Sequence, residues 1–183
     1  PSVYPEGVSP RGTDKELIWE DRVRTLAKGA GLTEVYSYSF VSQDLYQKTG
    51  FADVPHVGLM NPLNADLEFM RPYLLPSLIQ VVADNQERYR TQALFELANT
   101  YIPQVPHLPR EEMHLGTAHL GDEYAWKQAK GWVEYVLQEL GISGVSFKRH
   151  PENSFWHPGR SAEVWLDGKM IGTVGEIHPM LAQ

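Results

Sequence analysis

The dipeptide Asp167-Gly168 lies between two runs of alternating residues, Ser161 to Leu166 and Lys169 to Ile177. A two-residue loop that matches the twist of its flanking strands needs positive φ at its centre, which Asp-Gly tolerates, so the spacing predicts a β-hairpin. The carboxy-terminal third is therefore antiparallel. Just upstream, Trp126, Ala129, Val133, Val136, Leu137 and Leu140 recur at helical spacing and stop at Gly141, the left-handed end expected of a helix. Val145 to Arg149 reads as a short strand between them.

The same two periods run through the rest of the chain. Thr13 with Glu16 has the spacing of a capping box, and Leu17, Ile18, Val23, Leu26, Ala27 and Ala30 trace a helix that ends at Gly31. Glu34 to Val41 alternates, with Tyr36, Tyr38 and Phe40 on one face and Val35, Ser37, Ser39 and Val41 on the other. The aromatic face is expected to point inward. A short helix from Gln43 to Lys48 closes at Gly50, and an extended stretch follows from Val54 to Met60. Arg71-Pro72 and Pro76 prepare a helix from Ser77 to about Tyr89, because proline suits a first helical turn. Ala93 to Ile102 reads as a strand, Pro103 to Pro109 as a loop, and Leu115 to Leu120 as a strand returning beside it. Residues 1 to 12, with three Pro and two Gly, read as a linker, and 13 to 183 as one core domain. Helices interspersed with hairpin-linked strands give an α+β fold, an antiparallel sheet with helices packed against it. No internal repeat is visible.

Composition narrows the chemistry. The 183 residues contain no cysteine, which removes disulfide scaffolds, Cys-ligated zinc and thiol nucleophiles. The formal net charge of -7 argues against broad electrostatic capture of nucleic acid by this piece alone. No apolar run reaches the ~20 residues that span a bilayer, so a soluble, untargeted chain is expected. Beginning at Pro1 and stopping at Gln183 just after a strand-like run, the chain reads as a segment of something longer.

Candidate sites are few. There is no phosphate-cradling glycine loop, and Gly172 and Gly175 lie inside a strand pattern, where a bulge or close packing explains them. None of the seven histidines forms an HxxxH pair, and His114 and His119, five apart on a predicted strand, fall on opposite faces. Ser161 in GRSAE lacks the context of a nucleophile elbow. Glu96, Glu163 and Glu176 each sit among strand residues, where the simpler expectation is a carboxylate facing solvent and the alternative is burial against Arg71 or Arg160. Trp126, Trp132, Trp156 and Trp165 read as core or subunit interface. No catalytic, cofactor-binding or metal-ligating residue is assigned.

Four ordered stretches carry a resemblance: GLTEVYSYSFV (Gly31 to Val41), NPLNADLEFMRPYLLPSLIQVVADNQER (Asn61 to Arg88), LFELANTY (Leu94 to Tyr101) and HPGRSAEVWLDGKMIGTVGEIHPML (His157 to Leu181). Together they resemble the β subunit of bacterial-type phenylalanyl-tRNA synthetase over about residues 13 to 181. The resemblance implies a class II synthetase-like core, an antiparallel sheet flanked by helices. It also implies a catalytically silent relative of the α-subunit core, which helps to assemble a cytoplasmic (αβ)2 heterotetramer that joins phenylalanine to its tRNA using ATP and magnesium. Active class II cores hold the ATP α-phosphate with an Arg at the end of the strand corresponding to LFELANTYI. Here Asn99 and Ile102 occupy that stretch, and the nearest basic residue downstream is His107. A second Arg comes from a glycine-rich motif that would lie beyond Gln183.

The SAEVW and GEIHP hairpin is similar to strands lining the α-subunit amino-acid pocket, which leaves room for a vestigial pocket. The family's editing site, metal-associated segment and RNA-binding domain lie elsewhere and are not carried over. The helix from Thr13 to Ala30 matches the dimerisation helix of the family, so Leu26→Asp is expected to weaken α association, although the stripe would also fit a wholly internal helix. The rival reading is a free-standing synthetase-like ligase or amino-acid-binding paralogue, which a basic residue at the adenylate position would favour. Direct tRNA contact within the tetramer is a third.

Overall fold

A computed structural model describes residues 12, 14–64, 66–121, 124–150 and 155–181. Thr13 and nearly all of the expected linker lie outside these. The elements in chain order are α1 (Lys15–Gly29), β1 (Thr33–Glu34), β2 (Phe40–Val41), α2 (Gln43–Lys48), β3 (Val57–Gly58), β4 (Phe69–Met70), α3 (Leu75–Asn85), β5 (Gln92–Gln104), β6 (His107–Leu120), α4 (Ala125–Glu139), β7 (Ser146–Arg149), β8 (Trp156–Leu166) and β9 (Lys169–Ile177). The described cap of α1 is Asp14, whose carboxylate accepts from the Glu16 backbone N–H at 3.1 Å.

Three small sheets form, in the orders β1-β5-β6, β2-β4-β3 and β7-β8-β9. Every pairing is antiparallel except β1 with β5. A backbone bond joins the first two, from Tyr101 N–H to Arg71 O at 2.9 Å, while Val35 N–H to Phe95 O and Arg71 N–H to Ser39 O, each also at 2.9 Å, extend the first and second sheets. The α+β expectation therefore holds, and the predicted hairpin turns at Asp167 and Gly168 with φ of 48° and 79°. Gly141, at φ 75°, follows the end of α4 as its spacing required.

Helix α4 organises the core because it is apolar on two sides. Trp132 and Val136 pack on Phe95, Ala27 and Leu32, whereas Trp126, Ala129 and Leu137 pack on Ala162, Val164 and Val174 of the third sheet. Val133 touches both clusters. A third cluster joins Val41, Tyr46 and Phe69. There the Tyr46 hydroxyl donates to Tyr73 O at 2.9 Å, and burial pushes its pKa well above the ordinary value.

Two expectations are corrected. Tyr36 and Tyr38 point outward, 77% and 78% exposed, and Phe40 is exposed too, because the inner side of this segment receives a buried ionic cluster that small Ser37 can reach. The segment is also a strand only at its two ends. Pro103 to Pro109 is no loop: β5 and β6 run on to a tight turn at Val105-Pro106, with a register shift between Ile102 and Gln104 that absorbs Pro103. Pro109 is tolerated because β6 lies at the edge of its sheet.

Candidate functional site

Strand alternation puts Glu96, Ala98, Thr100 and Ile102 on one face of β5, and the register places Gly116, His114, Glu112 and Arg110 of β6 beside them. Of the two residues in the stretch where a phosphate-binding cation is expected, Ile102 lies on this face and Asn99 on the other. One end is covered by α3: a Cβ on Gly116 would lie 2.8 Å from Leu78 Cδ1 and 3.1 Å from Leu74 Cβ, so only glycine lets the helix sit this close. Next to it the Glu96 carboxylate is buried, contrary to the simpler expectation of solvent exposure. It accepts from Arg71 Nη1 at 2.8 Å, from Ser37 N–H at 3.1 Å and from the Ser37 hydroxyl at 2.7 Å. Arg71 also donates from Nη1 to the Ser37 hydroxyl oxygen at 2.7 Å and from Nε to Asn99 O at 3.2 Å. Burial and full pairing explain each other here: an ionised carboxylate is kept in the interior only where its acceptor sites are filled.

The middle of the face is a polar chain. The Thr100 hydroxyl, fully buried, lies 3.1 Å from His114 Nδ1 and 3.4 Å from Glu112 O. His114 Nε2 stands 3.4 Å from Glu112 Oε2, and Arg110 Nε holds the other oxygen of that carboxylate at 3.0 Å. At the far end Ile102 contributes only hydrocarbon. Asn99 looks to the opposite face, where its amide donates to Glu111 Oε2 at 3.2 Å. The Arg71 and Arg110 guanidinium groups on this face are thus each paired with a carboxylate.

The other candidates make the following contacts. Glu176 pairs with Arg160 at 2.6 Å near the surface, and Glu163 accepts from Trp165 Nε1 at 2.8 Å. The Ser161 hydroxyl donates to His157 O at 3.1 Å, which leaves it paired to backbone and not to an imidazole base. Gly175 is a close approach, with its Cβ position 2.5 Å from Trp156 Cε3, and Gly172 lies beside the register shift at Val164/Trp165. Trp132 and Trp156 are buried, and Trp126 packs on the core, as the core reading requires. His114 and His119 do fall on opposite faces. No group of three or more His, Asp or Glu that could hold a metal occurs among the described residues. His119 Nε2 is buried without a partner among the described residues, and desolvation holds the imidazole below its ordinary range.

A second surface lies at α1. Leu17, Ile18 and Trp19 are each about half exposed, whereas Leu26 is half-buried beside fully buried Ala27. Glu34 ties this helix to the segment that carries the exposed aromatic row: its nearly buried carboxylate accepts from Lys28 Nζ at 2.7 Å, Arg24 Nε at 3.0 Å and the Tyr36 hydroxyl at 2.9 Å. Burial alone would raise its pKa, but the hydrogen bonds from Lys28, Tyr36 and Arg24 outweigh that and lower it. Sequence reasoning missed both the Glu34 clasp and the Arg110–Glu112–His114 row. The row had a signal, a polar residue at every second position, but it falls between the expected loop at Pro103 to Pro109 and the expected strand at Leu115 to Leu120 and is part of neither.

Residues 1–183 match the family described as the phenylalanyl tRNA synthetase beta chain CLM domain. Curated relatives include phenylalanine–tRNA ligase β subunits of Carboxydothermus hydrogenoformans, 32% identical over 99% of this chain and 25% of the relative, and of Clostridium tetani, 35% identical over 98% and 24%. The Fusobacterium nucleatum β subunit is 36% identical over 87% and 22%. The chain thus spans about a quarter of the length of these relatives. Among solved structures, pyrrolysyl-tRNA synthetase from Desulfitobacterium hafniense superposes with a TM-score of 0.70 at 16% identity, covering 87% of this chain and 55% of that one. A second structure of that enzyme gives 0.68 at 16% identity over 87% and 58%. At that identity the likeness establishes a class II synthetase-like fold.

Proposed function

The chain belongs to the phenylalanyl-tRNA synthetase β-chain core family, and from that premise we propose that it is a catalytically silent synthetase core whose work is assembly. The α subunit is its partner, in an (αβ)2 heterotetramer that attaches phenylalanine to tRNA in the cytoplasm with ATP and magnesium. This segment holds neither ligand itself.

One observation carries the reading. Adenylate formation needs cationic stabilisation of a phosphorus centre gaining charge. The β5 stretch where that cation is expected carries Asn99 and Ile102, and the Arg71 and Arg110 guanidinium groups beside this strand are paired with Glu96 and Glu112. That arrangement also disfavours the free-standing ligase, which required a basic residue there.

The assembly half of the proposal draws on α1. Its first turns leave Leu17, Ile18 and Trp19 each about half exposed, and large apolar side chains left exposed on a helix are typical of a protein interface. Leu26 is the poorer probe, since a charge there would disturb the packing around Ala27 as well. The double variant Ile18→Asp/Trp19→Asp in the full-length β subunit is expected to lose co-purification with α while its circular dichroism stays unchanged. Retained co-purification contradicts the assignment of this surface.

A further inference from the structure

Four large apolar side chains stand almost free of the protein: Met60 is 101% exposed, Leu63 91%, Val105 95% and Leu108 86%. The topology brings them to one end. Residues 35–39 run along β5, from Val35 bonded to Phe95 to Ser39 bonded to Arg71, whose carbonyl accepts from Tyr101; β4 returns antiparallel to β2, and β3 is antiparallel to β4. Strand β3 therefore runs toward the β5–β6 turn, and the loop after it emerges beside that turn. A shallow cleft of about 210 Å3 lies between the start of β3 and that turn; its walls include His56, Val57, Pro103, Val105 and His107.

Turns and loop tips normally carry polar residues, as the Asp167-Gly168 turn does here. Four exposed side chains of this size present on the order of 600 Å2 of apolar surface, at the upper limit for the largest patch on a typical monomer. That approaches the about 800 Å2 that one partner contributes to a stable interface.

We propose that the ridge formed by Met60, Leu63, Val105 and Leu108 docks into an apolar concavity on a part of the same β-subunit polypeptide outside residues 1–183. The relatives are about four times as long as this chain, so the full β subunit has ample further surface to cover it. The alternatives fit less well. A protruding ridge is not complementary to itself, as a two-fold contact between copies demands. Nucleic acid would find little to hold its phosphates, because Arg110 is engaged by Glu112 and the β3–β4 loop carries Asp66 and Glu68. The α1 surface proposed to meet α adjoins β1, which pairs with Leu94 and Phe95; about ten residues of strand, roughly 30 Å, separate that level from the turn. The inference rests on family membership and not on the assembly proposal, so the two fail independently.

The test places the photo-reactive residue p-benzoylphenylalanine at Leu63, and separately at Val105, in the full-length β subunit purified with its α partner. Both sites are so exposed that the substitution leaves the packing intact, which co-purification with α checks. Irradiation followed by mass spectrometry is expected to give cross-links mainly to β residues outside 1–183, within one β chain. Cross-links mainly to α, to a second β chain or to bound tRNA would overturn the proposal. So would the absence of cross-links beyond residues 1–183.

Discussion

Two guanidinium–carboxylate pairs of similar length sit in opposite surroundings. Arg71 and Glu96 meet at 2.8 Å with each side chain 2% exposed, whereas Arg160 and Glu176 meet at 2.6 Å with 47% and 40% exposed. Distance therefore says little about what each pair does. The buried pair is the knot at which the Ser37 segment, the end of β4 and strand β5 are tied. The exposed pair spans β8 and β9, whose register is already set by backbone bonds. Removing a partner from the first leaves a charge with no water to turn to; in the second, water replaces it.

The largest effect should come from cutting the buried knot. Arg71→Met leaves Glu96 buried and unpaired, and urea unfolding is expected to show a loss of about 3–5 kcal/mol. Adding Glu96→Gln should restore part of it, since the uncompensated charge is then gone. A loss below that of the exposed pair would break the contrast.

Gly116→Ala comes next. The added methyl group meets Leu78 and Leu74 on the same face as Glu96, and overpacking of this kind costs about 1–3 kcal/mol. A neutral result would mean that α3 sits less tightly over the pocket face than described.

His119 comes third, its Nε2 buried without a partner among the described residues. Because burial lowers the His119 pKa in the fold, the unfolded chain takes up a proton first as pH falls below its own value of about 6.5. The stability that neutral His119 supports is complete above that pH and declines as pH falls toward the folded-state value, at no more than about 1.4 kcal/mol per pH unit. His119→Leu should flatten this part of the stability profile below pH 6.5, and an unchanged slope would assign it to other groups. Smallest of all, Arg160→Ala is expected to cost no more than about 1 kcal/mol, and less at high salt.

Much of the frame was legible in the sequence because it depends on local period and punctuation. The α4 stripe with Gly141, the Asp167-Gly168 turn and Pro76 at the start of α3 each act within a few residues. What alternation cannot give is which face turns inward. Around Tyr36 and Tyr38 hydrophobicity pointed the wrong way, because the inner side is set by Glu96, 59 residues away from Ser37. The three prolines of 103–109 suggested a loop, but a register shift, a turn and an edge strand accommodate all three. The Arg71–Glu96 pair was visible only as an alternative, since nothing local distinguishes a buried carboxylate from a solvated one.

The central claim is that the β5–β6 face of this core binds no adenylate. Calorimetric titration of the αβ assembly with a nonhydrolysable phenylalanyl-adenylate analogue tests it most directly, through the number of sites. One site per αβ pair is predicted, supplied by α. Two sites per pair of comparable micromolar affinity would contradict the silent-core account and return a working pocket to this chain.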